Sequence, residues 1–194
     1  MNPVEQSLQY FEKNKDSMTN VYIDLLKIPS VSTNPEHAQD MRKAAEFLAN
    51  YLRKIGMEHV EIFQTPLHPI LYAEKRSSKQ DAKTLLIYGH YDVQPEDPID
   101  EWQSAPFEPT FRDDYLYARG ASDMKGQVMA SIFALESALA SCDLPINIKF
   151  ILEGEEEIGS PSLEPFIKEH KELLACDMIL NPDAGMVAKD KPTI

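Results

Sequence analysis

The chain has 194 residues and a formal net charge of −13 at pH 7, from 32 acidic and 19 basic residues. This acidity argues against nucleic acid and anionic membranes as partners, and no apolar run is long enough to cross a bilayer. The length suits one domain with a substantial core. Two cysteines are too few for a disulfide framework, and the N-terminus lacks the basic and apolar regions of a signal peptide, so we expect a cytoplasmic protein.

The first part of the chain predicts two helices followed by strands. Apolar residues recur at helical spacing from about residue 4 to residue 28, where Pro29 breaks the pattern. A second helix is predicted over 36–55, because Gly56 is a typical C-terminal stop. Strands are predicted near 59–63, 70–74 and 85–88.

The second part of the chain begins with a proline-rich, acidic segment from 95 to 114, which is predicted to form a loop close to the functional residues described next. Trp102 and Phe107 within it are candidates for substrate contact or for packing of the loop itself. A hairpin strand, a buried helix and two further strands are predicted at 115–117, 128–139, 146–152 and 178–180. This order of helices and strands favours a layered α/β fold.

The run from Leu85 to Val93 carries the first candidate functional residues. Four apolar or aromatic residues lead directly into Gly-His-x-Asp, as when a buried strand delivers His90 and Asp92 to the edge of a sheet. Strand alternation places both side chains on one side, where a carboxylate can orient the imidazole of a metal ligand. A histidine that is simply hydrogen-bonded at a strand end explains this run equally well.

Asp123 lies in a glycine-flanked loop, from Gly120 to Gly126, that precedes the predicted helix. Loops of this kind carry function more often than packing. An aspartate before a helix is also a favoured N-cap, and for Asp123 taken alone that explanation is the better one.

A third acidic group, from Glu153 to Glu157, follows the strand at 146–152, and Asp183 follows the strand at 178–180. Consecutive glutamates repel one another unless a cation or solvent compensates them, and a solvated acidic turn is the common alternative. Ligands of open α/β sheets bind outside the carboxyl ends of the strands. Histidine and carboxylates without cysteine favour Zn²⁺, Mn²⁺ or Co²⁺ over a soft metal.

Three motifs taken together resemble those of a known family: Gly-His-Tyr-Asp-Val, Ala-Ser-Asp-Met-Lys-Gly and Gly-Glu-Glu-Glu-Ile-Gly-Ser. In order and spacing they are similar to the zinc aminoacylase and dipeptidase family of co-catalytic metallopeptidases (the M20 type). The likeness runs from about Val21 to the end of the chain, and Gly-His-Tyr-Asp-Val-Gln-Pro followed by Trp102 looks most like its dipeptidase and carnosinase branch. The resemblance implies a three-layer α/β sandwich with a mixed, mostly parallel central sheet.

The resemblance also implies a set of metal ligands. His90 and Asp183 would ligate one metal, Asp123 would bridge two metals, and Glu157 would ligate the second. The implied metal is Zn²⁺, two ions per complete site, with Mn²⁺ or Co²⁺ as alternatives. Because the bridging aspartate of the family is followed by a cis peptide bond, the bond between Asp123 and Met124 is expected to be cis.

For catalysis, the resemblance implies hydrolysis of amide bonds in dipeptides or N-acyl amino acids by a water that two metals activate. Glu156 would be the general base and acid, and Asp92 would orient His90. The implied partner is therefore a small peptide or N-acyl amino acid, with no nucleic acid and no membrane. A full-length enzyme of this family would be able to form a homodimer through its lid domain.

The family's remaining ligand is a histidine far downstream, near the C-terminus of a full-length enzyme. The family also has a lid and dimerisation domain inserted after the strand that carries Asp183. Residues 1–194 are therefore predicted to be the N-terminal portion of the catalytic domain, without the lid and without the C-terminal part of that domain. The histidines outside the motifs are predicted to be surface or incidental residues: His37, His59, His68 and His170.

Two other classes of protein remain open. The chain would be a folded but non-catalytic fragment if the missing histidine and lid are required for turnover. It would be an interaction module if the acidic clusters form only a structural cation site or a solvated rim. Measurements of metal content and of dipeptide hydrolysis would distinguish these two alternatives from an active enzyme.

Overall fold

The computed structural model describes residues 1–188 together with Lys191 and Pro192. The end of the predicted domain, at residues 193 and 194, lies outside the described residues. The described helices are α1 (Pro3–Leu26), α2 (Ala38–Lys54), α3 (Lys125–Leu139) and α4 (Leu163–Glu169), with short 3-10 helices at Pro35–His37, Ile99–Glu101 and Glu156–Ile158. The strands are β1 (His59–Phe63), β2 (Ile70–Lys75), β3 (Thr84–His90), β4 (Thr110–Arg112), β5 (Tyr115–Tyr117), β6 (Asn147–Glu153), β7 (Met178–Leu180), β8 (Met186–Ala188) and β9 (Lys191–Pro192).

The two N-terminal helices begin and end where local chemistry favours it. A capping box starts α1, because the Asn2 side chain accepts from the Glu5 backbone N–H at 2.9 Å while Glu5 accepts from the Asn2 N–H at 3.1 Å. The helix ends shortly before Pro29, as the sequence predicts. Beyond α2, Gly56 adopts a φ of 97°, a left-handed conformation that glycine enters without a steric penalty.

The central sheet has five strands in the order β1-β2-β6-β3-β7. Pairing is antiparallel on both sides of β2 and parallel where β3 meets β6 and β7. Only β2 therefore runs against the other four strands, and the predicted mixed, mostly parallel sheet is confirmed. The register pairs His90 with Glu153, so the His90 motif and the glutamate motif end side by side at one edge of the sheet.

Helices cover both faces of this sheet. One face packs against α1, α2 and α3, in a core that includes Ile87 and Phe150. The residues adjacent to these on the same strands, Leu86 and Ile151, point to the other face and pack with Phe166 of α4. This alternation is the period of two expected for strands that are buried on both sides, and it confirms the predicted three-layer α/β arrangement.

Some elements differ from the sequence prediction. α4 is a short helix that the apolar spacing does not reveal, and α3 begins at Lys125 rather than at residue 128. Two short hairpins, β4-β5 and β8-β9, lie outside the central sheet. None of the helices in the described part of the chain is long and apolar enough to cross a membrane.

Candidate metal centre

His90 occupies the last position of β3 and is fully buried. Its Nδ1–H donates to the backbone carbonyl of Asp92 at 3.0 Å, and the same nitrogen lies 3.3 Å from Asp92 Oδ1. These contacts hold the ring and leave Nε2 facing the opposite direction. Nε2 is a buried polar atom without a hydrogen-bond partner among the described residues.

Three carboxylates surround this free nitrogen. Nε2 of His90 lies 3.2 Å from Asp123 Oδ1, 3.6 Å from Asp183 Oδ2 and 3.8 Å from Glu156 Oε2. Ligand atoms of His90, Asp123 and Glu157 also lie within 4.8 Å of one another. The structure thus brings together all the residues that the sequence motifs single out as ligands, and the assignment of each one to a particular metal remains a prediction.

Asp123 reaches this cluster from a loop rather than from a helix cap. The residue that precedes α3 is Met124, and no side chain caps the helix there, so the explanation of Asp123 as a plain N-cap is wrong. The peptide bond between Asp123 and Met124 is cis, which confirms the expectation from the family resemblance. Gly120 has a φ of 78°, a conformation that favours glycine at the start of this loop.

Lys125 ties this loop to α1. Its side chain is fully buried, and Nζ donates to the backbone carbonyls of Ile28 at 2.7 Å and Leu25 at 3.3 Å. These carbonyls lie at the C-terminal end of α1, a place where a cation is favourable. Burial nevertheless lowers the pKa of Lys125 to about 7.

The acidic run after β6 divides into buried and accessible glutamates. Glu153 and Glu155 are each 1% exposed, whereas Glu156 and Glu157 are half-buried. The Glu155 carboxylate accepts hydrogen bonds from the His68 backbone N–H at 2.9 Å and from the N–H and hydroxyl of Ser162 at 2.9 and 3.0 Å. A solvated acidic turn is therefore wrong for the first two glutamates, because their side chains are held inside the protein.

Asp92 connects the His90 motif with this run. Its carboxylate oxygens accept hydrogen bonds from the backbone N–H groups of Glu156 at 3.3 Å and Glu157 at 3.1 Å. Gln94, two residues further on, donates from its side chain to Glu157 Oε2 at 2.6 Å. Asp92 thus contacts both the imidazole and the backbone of the two glutamates that face the cluster.

Close packing keeps the two motifs in register. A Cβ atom added to Gly154 would lie 2.6 Å from the ring of Tyr91, a distance that real contacts do not tolerate. Glycine at position 154 therefore lets the chain after β6 pass directly over the aromatic ring that follows His90.

The electrostatics of the cluster match a cation. Burial lowers the pKa of His90, but the hydrogen bond and charge of Asp92 and the charges of Glu156 and Asp183 outweigh burial and raise this pKa to about 9. Burial, together with the nearby charge of Asp123, raises the pKa of Glu157. Both shifts indicate an excess of negative charge that a bound cation would compensate.

The residues present fit a divalent metal. Nε2 of His90 is buried, has no hydrogen-bond partner among the described residues and is directed at carboxylates, while Nδ1 is held by a backbone carbonyl. Metal-ligating histidines have this arrangement, with one nitrogen free for the metal and the other held by a carbonyl or carboxylate. Nitrogen and oxygen donors of this kind suit Zn²⁺, and also Mn²⁺ or Co²⁺. Glu157 lies near both Asp123 and His90. If His90 ligates the first metal, as the family resemblance implies, this set leaves only Asp123 and Glu157 for a second metal, which is fewer than the four ligands of a tetrahedral site.

Residues outside the cluster behave as the sequence suggests or have structural roles of their own. Trp102 donates from Nε1 to the Glu96 carbonyl at 2.8 Å, within its own loop, and its ring lies beneath the guanidinium of Arg119, which follows β5. The side chains of the other histidines contact residues outside the cluster. His37 bonds to Asp40, and His59 bonds to Glu61. His68 bonds to the Ser32 carbonyl, and His170 packs against Phe166.

Several residues that hold the cluster are not visible in the sequence motifs alone. Gln94 and Lys125 belong to the motifs but carry no spacing signal for their contacts. Tyr88 resembles an ordinary strand residue, and its role appears only in the fold, where β3 lies beside β6 and the Tyr88 hydroxyl reaches Glu153.

The fold and the ligand cluster together define a candidate metalloenzyme centre, and comparisons with known proteins agree. Residues 86–192 match the model of Peptidase family M20/M25/M40. The chain is 32% identical to the human Beta-Ala-His dipeptidase over 206 residues, which cover 98% of the chain and 40% of that protein. It is 30% identical to a cysteinylglycine-S-conjugate dipeptidase of Corynebacterium striatum, over 93% of the chain and 40% of that protein.

Solved structures show the same relationship. The crystal structure of human carnosine dipeptidase 1 is similar with a TM-score of 0.88 and 32% identity, over 96% of this chain and 42% of that one. An M20 family metallo-carboxypeptidase from Sulfolobus solfataricus has a TM-score of 0.80 and 40% identity, over 90% of this chain and 38% of that one. This chain belongs to Peptidase family M20/M25/M40, and it spans about 40% of the length of the curated relatives it matches.

Proposed function

We propose that this chain is the metal-binding, N-terminal portion of the catalytic domain of an enzyme that hydrolyses amide bonds in dipeptides or N-acyl amino acids. The observation that carries the proposal is the buried, unpartnered Nε2 of His90, which faces Asp123, Asp183 and Glu156 at distances of 3.2 to 3.8 Å. Relatives named as dipeptidases and as a desuccinylase support this class of substrate.

In this proposal, His90, Asp123 and Asp183 hold one Zn²⁺ ion, and Asp123 and Glu157 contribute to a second. When bound, the ions would polarise the scissile carbonyl and lower the pKa of the attacking water. The family's last histidine, its lid domain and the C-terminal part of the catalytic domain would be supplied by the remainder of a longer polypeptide.

Glu156 is the general base and acid of the proposed reaction. Its carboxylate is half-exposed, with 39% of the side chain accessible, and it lies beside the cluster. Gln94 donates to Glu157 and Asp92 fixes the backbone of both glutamates. Glu156 would accept a proton from the attacking water and return it to the leaving amine.

Hydrolysis by a longer polypeptide that includes this chain tests the proposal. We expect cleavage of at least one of β-alanyl-histidine, cysteinylglycine and N-succinyl-diaminopimelate, loss of cleavage with a chelator and recovery with Zn²⁺. Absence of cleavage in protein that demonstrably binds Zn²⁺ would contradict it and favour a non-catalytic metal-binding module.

A further inference from the structure

The turn that presents Glu156 and Glu157 has a hydrogen bond between the side chains of its first and last residues. We call residues 153–160 the glutamate turn. At its far end, the Ser160 hydroxyl donates to Glu153 Oε1 at 2.9 Å, and the Ser160 backbone N–H donates to the Glu155 carbonyl at 2.7 Å. Glu153 therefore fixes the end of the turn relative to its beginning.

Tyr88 connects this closure to the strand that carries His90. Its hydroxyl donates to the same oxygen, Glu153 Oε1, at 2.7 Å. Tyr88 and His90 are two residues apart on β3, so their side chains leave the same face of the sheet. The Tyr88 hydrogen bond thus joins the strand of the imidazole to the turn of the two glutamates.

The surroundings of Glu153 and Tyr88 place this link next to the proposed site. Glu153 is 1% exposed, and its second carboxylate oxygen, Oε2, has no hydrogen-bond partner among the described residues. In the register of β3 against β6, Glu153 is paired directly with His90. A buried carboxylate with an unsatisfied oxygen costs stability, so this residue is not explained by packing alone.

We propose that Tyr88 is a positioning residue for Glu156 and Glu157, acting through Glu153 and Ser160. The hydroxyls of Tyr88 and Ser160 both donate to Oε1 of Glu153. In this proposal, these two hydrogen bonds fix the path of the backbone between the end of β6 and Ser160. Tyr88 itself does not contact substrate in this proposal. The roles given to Glu156 and Glu157 rest on the proposed function.

Zn²⁺ affinity of the chain, measured by calorimetric titration, is the first test. Tyr88→Phe removes only the hydroxyl, and it should weaken the Zn²⁺ site that uses Glu157 by roughly 10–100-fold, the usual effect of removing a group that orients a metal ligand. Tyr72→Phe is the matched control, because Tyr72 is fully buried in the same core, and its hydroxyl donates to the Leu173 carbonyl at 3.3 Å. Equal Zn²⁺ affinity of the two variants would overturn the proposal.

Hydrogen exchange reports on the turn without any metal. The backbone N–H groups of Glu156 and Glu157, which donate to Asp92, should exchange faster in Tyr88→Phe and not in Tyr72→Phe. A uniform change over the whole chain would instead mean that Tyr88 serves global stability, and it would count against positioning.

A double substitution tests the route through Glu153. Ser160→Ala removes the second donor from the outer end of the turn and leaves β3 unchanged. Because both donors act on one oxygen, the effects of Tyr88→Phe and Ser160→Ala on Zn²⁺ affinity should not add. Strict additivity would show that Tyr88 acts by another route.

Activity separates this proposal from the proposed function. In a longer polypeptide that hydrolyses a dipeptide, Tyr88→Phe should lower kcat more than it raises KM, because the base is displaced while substrate binding is kept. If the unsubstituted polypeptide binds Zn²⁺ but hydrolyses nothing, the proposed function fails, and the affinity and exchange measurements still decide the role of Tyr88.

Discussion

Asp92 accepts a hydrogen bond from the backbone N–H of Glu157 at 3.1 Å, although the two residues are 65 positions apart in the sequence. The same carboxylate lies 3.3 Å from Nδ1 of His90 and accepts from the Glu156 N–H. One buried side chain therefore orients a proposed metal ligand and also holds the backbone of the proposed base. Family resemblance implies only the first of these two roles.

Asp92→Asn tests this double role. The amide keeps the shape of the carboxylate but offers one acceptor oxygen, so at least one of the three converging N–H groups would face an NH₂ group. We expect Zn²⁺ affinity to fall by roughly 10–100-fold in calorimetric titration. Asp100→Asn, at an exposed position in the 95–114 loop, is the control for loss of a charge, and an effect of similar size there would contradict the assignment.

Glu156 and Glu157 are adjacent, so paired substitutions distinguish their roles. In a longer, active polypeptide, Glu156→Gln should lower kcat by roughly 10²–10⁴-fold, the usual loss for a general acid–base, with metal content nearly unchanged. Glu157→Gln should weaken metal binding instead, because it removes one carboxylate oxygen from the ligand cluster. Metal analysis beside steady-state kinetics checks both, and the reverse pattern would mean that the two roles are exchanged.

The sequence predicts that the candidate ligands lie close together, because each of them is at or just after a strand end or lies in a glycine-flanked loop. His90 and Glu153 end neighbouring parallel strands, and motif order is enough to place such residues at one edge of a sheet. The same reasoning fails for Glu155, since a run of glutamates does not show which side chains turn inward. That choice depends on His68 and Ser162, which lie outside the run and reach Glu155 only in the folded chain.

Most of the fold follows from periodicity, and the exceptions have physical reasons. α1 and α2 are long, amphipathic and bounded by Pro29 and Gly56, so their positions are predictable from sequence. α4 has only seven residues, too few for its spacing to be read, and it forms because Phe166 packs onto the second face of the sheet. Tertiary packing, not local propensity, thus determines this element.

Metal stoichiometry of the chain follows from the ligand set. Carboxylate oxygens of Asp123 and Asp183 lie within 3.6 Å of Nε2 of His90. The proposed assignment gives these three residues to one metal and leaves only Asp123 and Glu157 of this chain for the second. We expect one Zn²⁺ ion to bind more tightly than a second in calorimetric titration of the 194-residue chain. Two equally tight sites, or no binding, would contradict the ligand assignment.

Because Lys125 is buried, we expect the free energy of unfolding to rise with pH in the range between its folded and unfolded pKa values. Burial lowers its pKa in the folded chain to about 7, while an unfolded lysine has a pKa of about 10.4. Between these values the unfolded chain binds a proton that the folded chain does not, so the free energy of unfolding rises with pH. Below the folded pKa both states are protonated, and the cost of burying the ammonium is fully present.

Lys125→Met removes the titrating group and tests this effect. The difference in the free energy of unfolding between the unsubstituted chain and Lys125→Met should rise from about pH 7 to about pH 10, by about 1.4 kcal/mol per pH unit. Loss of the hydrogen bonds to Ile28 and Leu25 should add only a constant offset. Denaturant unfolding with a chelator present measures both, and Lys171→Met, at an exposed position, controls for loss of a positive charge. If this difference in the free energy of unfolding does not change with pH, Lys125 remains protonated inside the protein. The two carbonyl acceptors would then be the groups that stabilise the buried ammonium.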